Sequence, residues 1–176
     1  MTGEKVTLID MLDCRERRSH LQDKMIREYH CPVISFCMNI PGPIKTNPQI
    51  RSAFLAGKNI LMNEIKKAAC LENTLPVHSE NVIEQLVESH EKTGDELLMA
   101  VSLSACEIKK ITVFIEETHP YGRLFDMDVI DVNGQKLSRP TFRKCIICGR
   151  QAQECARMRR HTIKEMQHKI NEILKA

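Results

Sequence analysis

The chain has 176 residues, 42% hydrophobic and 28% charged, which suits one soluble domain with a sizeable core and is too short for two ordinary ones. Its apolar stretches, such as Val33 to Met38, fall far below the roughly 20 residues a membrane-spanning helix needs. Asp10 and Asp13 interrupt the stretch where a secretory leader would be apolar, so the protein is expected to be cytoplasmic. The net charge of +3 is unevenly spread: residues 139–161 hold seven Lys and Arg against one Glu, a net +6, which leaves the remainder at −3. Such a basic segment asks for an anionic partner. With no Trp and 4% aromatic residues, the chain lacks the stacking platforms of single-strand binders, and nucleic acid ranks last among those partners.

Thr7 to Tyr29 reads as a helix, with Met11, Cys14, Leu21, Met25 and Tyr29 on one stripe and Arg18 among them. His30-Cys31-Pro32 ends it. Val33 to Ile40 is rich in strand formers and predicts a buried strand. After Pro41-Gly42-Pro43, Asn47 can cap a second helix with Pro48 at its first position, running to about Cys70 and burying Ile50, Phe54, Leu61, Ile65 and Ala68. Leu75 to Leu103 is best read as a hairpin, with Thr93-Gly94-Asp95 as the turn and Leu97 to Leu103 as the second strand.

Ser104-Ala-Cys-Glu107 has the form of a capping box, which starts a helix over 105–117. Gly122 to Val132 predicts a strand, and Asn133-Gly134 a hairpin turn that sends Gln135 to Ser138 back antiparallel. A cysteine-containing loop precedes a final helix over 162–174, with Ile163, Met166, Ile170 and Ile173 or Leu174 inward. The expected whole is a single α+β domain over 1–176, a mixed sheet with helices packed on it.

Asp126 and Asp128, two apart on a strand, face the same way roughly 7 Å apart and can share a divalent cation; two acids on a wet strand face are the plainer alternative. Leu124 and Ile130 share that face, and carboxylates flanked by apolar residues are costly to desolvate unless a cation meets them. Mg²⁺ is suited to one or two carboxylates completed by substrate phosphates. Just upstream, Gly122 would let backbone approach a phosphate, Arg123 could clamp its oxygens, and His119 is either a base or a helix-end cap. Lys45 lies before the second helix, where it would reinforce an anion site or simply be solvated. Arg18 stands on the apolar stripe of the first helix and therefore requires an acidic partner or a ligand phosphate.

Cys145, Cys148, Cys155 and His161 supply a tetrahedral Cys₃His set, with zinc the expected metal and free thiols the alternative. The six-residue step from Cys155 to His161 is awkward within one helix, so Cys155 should precede the last helix. The other five cysteines are scattered.

These segments resemble the citrate lyase holo-acyl-carrier-protein synthase family, the apo-citrate lyase phosphoribosyl-dephospho-coenzyme A transferases. The resemblance is carried by Glu16-Arg17, Val33-Ile-Ser-Phe, Pro41-Gly-Pro-Ile-Lys45 and His119-Pro-Tyr-Gly-Arg-Leu-Phe-Asp-Met-Asp-Val129. Leu137-Ser-Arg139, Cys145-Ile-Ile-Cys148, Cys155-Ala-Arg157 and His161 follow in the same order. It implies that a serine of the lyase γ subunit, an acyl carrier protein, attacks the triphosphate of 2′-(5″-triphosphoribosyl)-3′-dephospho-coenzyme A and releases diphosphate. Asp126 and Asp128 would then sit on a nucleotidyltransferase-like active-site strand with Arg123 and His119. Arg17, Arg18, Lys45, Gly122 and Arg157 would bind the donor, Arg157 alternatively docking the carrier. A zinc-stabilised basic module that docks an acidic protein or RNA, and a structural subunit of the lyase, are the competing readings.

Overall fold

Thr7 opens the first helix, α1 (Leu8–Tyr29), through a reciprocal cap in which its hydroxyl accepts the Asp10 amide proton while the Asp10 carboxylate accepts the amide proton of Thr7. The computed structural model describes residues 3–72 and 82–175. His30, in the left-handed region at φ 52°, ends α1 and turns the chain into β1 (Val33–Met38). The amide of Ile50 donates to the Asn47 side chain, so Asn47 caps α2 (Pro48–Glu72) as its sequence predicts. Strands β2 (Ile83–Glu91) and β3 (Gly94–Val101) form the expected hairpin, but the turn falls at Lys92-Thr93 and the second strand runs over 94–101 rather than 97–103; residues 75–81 of that stretch lie outside the described residues. Ser104 caps α3 (Ala105–Thr118), and β4 (Phe125–Ile130), α4 (Ala152–Arg157) and α5 (Ile163–Lys175) complete the chain.

The sheet runs β2-β3-β1-β4 and every pairing is antiparallel, which corrects the expected mixed sheet. The reason lies in the position of β1. Crossover helix α3 joins β3 to β4, two strands that run the same way, but β1 occupies the slot between them and opposes both. The strand expected over 122–132 is shorter: Gly122–Leu124 form a single 3-10 turn and pairing stops at Ile130. The return after Asn133-Gly134 is one bridge, Ile130 to Lys136, rather than a strand, because Arg139 is drawn off the sheet edge toward Glu116 and Glu117 and Pro140 has no amide to offer.

Side-chain alternation along the sheet builds two faces. On one, Ile34, Phe36, Leu97, Met99, Phe125, Met127 and Val129 meet Phe54, Leu61 and Ile65 of α2 and Ile108 and Ile115 of α3. Phe36 stacks on Phe54 at 4.8 Å between ring centroids and meets Phe125 edge-on at 5.3 Å. Ala69 rather than Ala68 takes the deepest place at the end of the α2 stripe. On the other face, Met25 and Ile26 of α1 cover Val33, Leu98, Ala100 and Ile130. The earlier turns of α1 lie over the end of that face where β1 finishes and β4 begins. A third cluster, Ile40, Ile50, Leu124 and Ile170, anchors α5 beside this end; Ile163, expected inward, is 51% exposed at the start of that helix.

Candidate active site and a cysteine-histidine cluster

The end of the sheet beneath the earlier turns of α1 holds the charged residues. In β4, Phe125, Met127 and Val129 are buried in the core while Asp126 and Asp128 point to the α1 face. Register places Asp126 opposite Cys37 and Asp128 opposite Ser35 on β1, and Glu96 of β3 opposite Cys37 from the other side. Glu96 and Asp126 thus flank Cys37 on one face. Arg18 reaches down from α1 to Glu96 (Nη1 to Oε1 2.6 Å), and the Cys14 thiol donates to the same oxygen at 3.1 Å. The acidic partner that the apolar stripe demanded of Arg18 is therefore Glu96, a residue 78 positions away.

A cavity of about 150 Å³ opens here, lined by Arg15, Arg18, Lys45, Cys37, Glu96 and Asp126 among others. Three cations from two separate segments converge on it. Lys45 is half-buried and donates to the Ile40 carbonyl at 2.7 Å; burial and the nearby Arg15 lower its pKa. Burial, and then the neighbouring Asp128, raise the pKa of Asp126, against the pull of Arg143. The Cys37 thiol is pushed up to about 12 by burial and by Asp126. Asp128 pairs with Lys136 from the loop that follows β4.

The outer edge of β4 is capped by side chains and loop backbone, as an exposed strand edge must be. Arg143 donates to the carbonyls of Gly122 (3.0 Å) and Phe125 and lies 4.0 Å from Asp126; Glu116 accepts from the Met127 amide at 2.8 Å and is held by Arg139 at 2.6 Å; the Leu137 amide donates to the Val129 carbonyl at 2.8 Å. Burial raises the pKa of Glu116.

The remaining predicted residues are not all drawn to the cavity. Arg123 donates to the Lys144 carbonyl and has its pKa lowered by burial and by neighbouring Arg143 and Arg139. His119 ends α3; its Nδ1 accepts the Tyr121 amide proton at 3.1 Å and its ring lies 5.0 Å from that of Phe125, on the helix-covered side of the sheet. Arg17 pairs with Glu91 at 2.6 Å on the exposed surface, and Arg157 is exposed on α4; neither lines the cavity. Gly122 is buried against α3, where a Cβ would fall 2.5 Å from the Glu116 carbonyl oxygen and 2.6 Å from that of Ile115. Backbone cannot yield as a side chain can, so Gly122→Ala is expected to destabilise the fold by about 1–3 kcal/mol, read as a lowered midpoint in denaturant.

Three residues of this arrangement escaped the sequence reading. Arg15 shows no pattern of its own beside Arg17 and Arg18, Arg143 counts only toward the net charge of residues 139–161, and Glu96 falls between the predicted turn and the predicted strand over 97–103. Only for Glu96 was a signal present: with Asp95 it forms an acidic pair in front of the apolar run 97–101.

Beyond Arg143 the chain folds on itself. The Cys145 amide donates to the Arg150 carbonyl (2.6 Å), and the Gly149 amide to the Cys145 carbonyl (3.1 Å) with Gly149 at φ +72°, where a glycine is favoured. The ligand atoms of Cys145, Cys148, Cys155 and His161 lie within 4.8 Å of one another, a group able to hold a metal ion. Cys155 sits in the short helix α4, not expected from sequence, and the chain leaves that helix before His161, which resolves the awkward six-residue step. The Arg150 amide and His161 bring the Cys148 thiol down to about 6; burial pushes Cys155 up to about 11.

The profile described as apo-citrate lyase phosphoribosyl-dephospho-CoA transferase matches residues 6–176. The chain belongs to that family. It is 35% identical, over 98% of its length and 88% of the relative's, to a protein of Streptococcus pyogenes serotype M18 named "probable apo-citrate lyase phosphoribosyl-dephospho-CoA transferase". A Vibrio cholerae serotype O1 protein of the same name is 34% identical, over 96% of this chain and 91% of its own. The protein CitXG of Leuconostoc mesenteroides subsp. cremoris is 32% identical over 98% of this chain, which spans 36% of that longer relative. Family membership thus extends across the sheet, the cavity and the cysteine cluster together. Among the described residues no helix is long and apolar enough to cross a membrane.

Proposed function

We propose that this protein transfers 2′-(5″-phosphoribosyl)-3′-dephospho-coenzyme A from its triphosphate donor to a serine of the apo acyl carrier protein of citrate lyase. The observation that carries the reading is the meeting of Asp126 with Arg15, Arg18 and Lys45 at one cavity, in a chain of this family. The serine oxygen attacks the phosphorus bound to the ribose; the bond to the outer two phosphates breaks, the serine proton leaves to solvent or base, and diphosphate departs. This is transfer of the nucleotidyl type, and its catalysis depends on positioning and on charge neutralisation.

Asp126 and Asp128 fit a divalent cation because they share a face and burial disfavours the charge of Asp126 in its absence; Mg²⁺ is the ion we assign, and when bound it would neutralise phosphate oxygens. Arg18 and Lys45 hold the departing diphosphate. Arg123 acts by position, tying residue 144 to the start of β4. His119, accepting a backbone proton against Phe125, is a packing residue of that corner in our reading. The cysteine-histidine cluster carries structural zinc, and the reaction belongs in the cytoplasm.

The test is the intact mass of the apo carrier after incubation with this protein, donor and Mg²⁺. A gain of one phosphoribosyl-dephospho-coenzyme A group is expected, and an unchanged mass sinks the reading. Arg18→Lys should raise the apparent constant for the donor about tenfold to a hundredfold, the scale of one charged hydrogen-bonded contact, because an ammonium lacks the planar fork. The constant for the carrier should stay put; a rise there instead moves Arg18 out of the donor site.

A further inference from the structure

The basic segment divides into two sets of cations. Arg139 and Arg143 face inward, spent on Glu116, Glu117, Asp126 and the carbonyls of β4. Lys144, Arg150, Arg157, Arg159 and Arg160 are exposed, and none is within ion-pair distance of a carboxylate among the described residues. Five uncompensated charges on one short segment repel one another, so the patch is held together by something other than electrostatics. The converging cysteine and histidine ligands provide that constraint.

Large apolar side chains are interspersed among these charges. Met158 is 63% exposed, Phe142 60% and Ile147 37%. A site for phosphate alone has no use for them, whereas apolar side chains rimmed by polar and charged groups are the anatomy of a protein interface. The patch is also fixed next to the cavity: Arg143 touches Asp126 and the carbonyls of Gly122 and Phe125, and Arg123 touches the Lys144 carbonyl. A protein docked on this segment is therefore held beside the β4 carboxylates.

We infer that the exposed face of the cysteine-histidine segment, centred on Met158 and rimmed by Arg150, Arg157 and Arg160, is the docking surface for an acidic face of the carrier protein and presents its serine to Asp126 and Asp128. This rests on the transfer function proposed above and gives Arg157 to the carrier rather than the donor. Charge complementarity selects the occupant, since the exposed Lys144, Arg150, Arg157, Arg159 and Arg160 attract an acidic surface and steer its approach.

The experiment measures binding of fluorescently labelled apo carrier, without donor, by anisotropy. The triple variant Arg150→Glu, Arg157→Glu, Arg160→Glu should bind it at least about tenfold more weakly at low ionic strength, and the parent should lose affinity with salt far more steeply than the variant. Donor affinity should remain within twofold. If the triple variant has lost its bound metal or its fold, Met158→Asp takes its place with the same expected direction. Carrier binding equal to the parent overturns the assignment, as does a loss of donor affinity with the carrier unaffected, or a patch whose reversal abolishes RNA binding alone. A parent that binds carrier through this patch but never modifies it would overturn the proposed reaction and leave the docking surface standing.

Discussion

Asp126→Asn and Asp128→Asn are each expected to lower transfer by at least about a hundredfold while leaving the unfolding temperature unchanged or slightly raised. The kinetic part follows from the chemistry: each substitution removes a full charge from the position proposed to hold the cation, and loss of one preorganised electrostatic group typically costs on the order of 10² to 10³ in rate. The stability part follows from the sign of the pKa shift. Burial and Asp128 raise the Asp126 pKa, so its ionised form is disfavoured in the folded state. A carboxyl raised in this way favours folding below its unfolded pKa, and that contribution disappears as pH climbs through the raised value. At neutral pH the parent therefore carries an unfavourable charge that Asp126→Asn does not, and the amide keeps the volume. The difference should shrink as pH falls through the raised value and vanish below the ordinary Asp range, about 4, where the Asp126 charge is lost in the folded and unfolded states alike. Melting curves of parent and variant across pH 3 to 8, taken without divalent ions, check this directly. A variant that melts much lower at pH 7, or modifies the carrier at near-parent rate, breaks the assignment of this pair to the cation.

How much of this could be read in the sequence depends on how local each feature is. The helix starts at Asn47 and Ser104 were legible because a cap and the helix it opens are neighbours in the chain. The same holds for Asp126 and Asp128, which share a face by strand periodicity alone, and for the four converging cysteine and histidine side chains, whose spacing is a local signal. What joins Asp126 to Glu96 is strand order. Both become neighbours of Cys37 only because β1 inserts between β3 and β4, and no local pattern encodes that insertion. For the same reason the sheet was expected to be mixed. Arg139 and Arg143 looked like surplus positive charge, yet they close the free edge of β4, a need that exists only once the edge strand is known. The six-residue helix α4 is too short for periodicity to reveal, and it exists where Cys155 has to turn toward its partners.

Removal of metal from the cysteine-histidine cluster should be the second large effect, and it should be local. Protein purified without chelator or a nickel column is expected to contain about one zinc per chain, held by Cys145, Cys148, Cys155 and His161. Binding requires deprotonated thiols. Cys148 is already held down to about 6, while Cys155, raised to about 11, must give up a proton at pH 7 when metal enters. Zinc uptake should therefore release at least one proton per chain, and affinity should fall as pH drops. The cluster lies outside the three apolar cores, touching them through Ile146, which packs against the group of Ile40, Ile50, Leu124 and Ile170. A strong chelator should accordingly open residues 144–161 to protease while the sheet keeps its cooperative melt. Transfer should fall at least about tenfold, because the same segment places Arg143 against Asp126 and receives Arg123 at the Lys144 carbonyl. Cys155→Ala and His161→Ala should reproduce this state, since a tetrahedral site that loses one ligand weakens steeply. Less than a tenth of an equivalent of metal, with all three thiols freely reactive and transfer unaffected by chelator, would return the four residues to an ordinary loop.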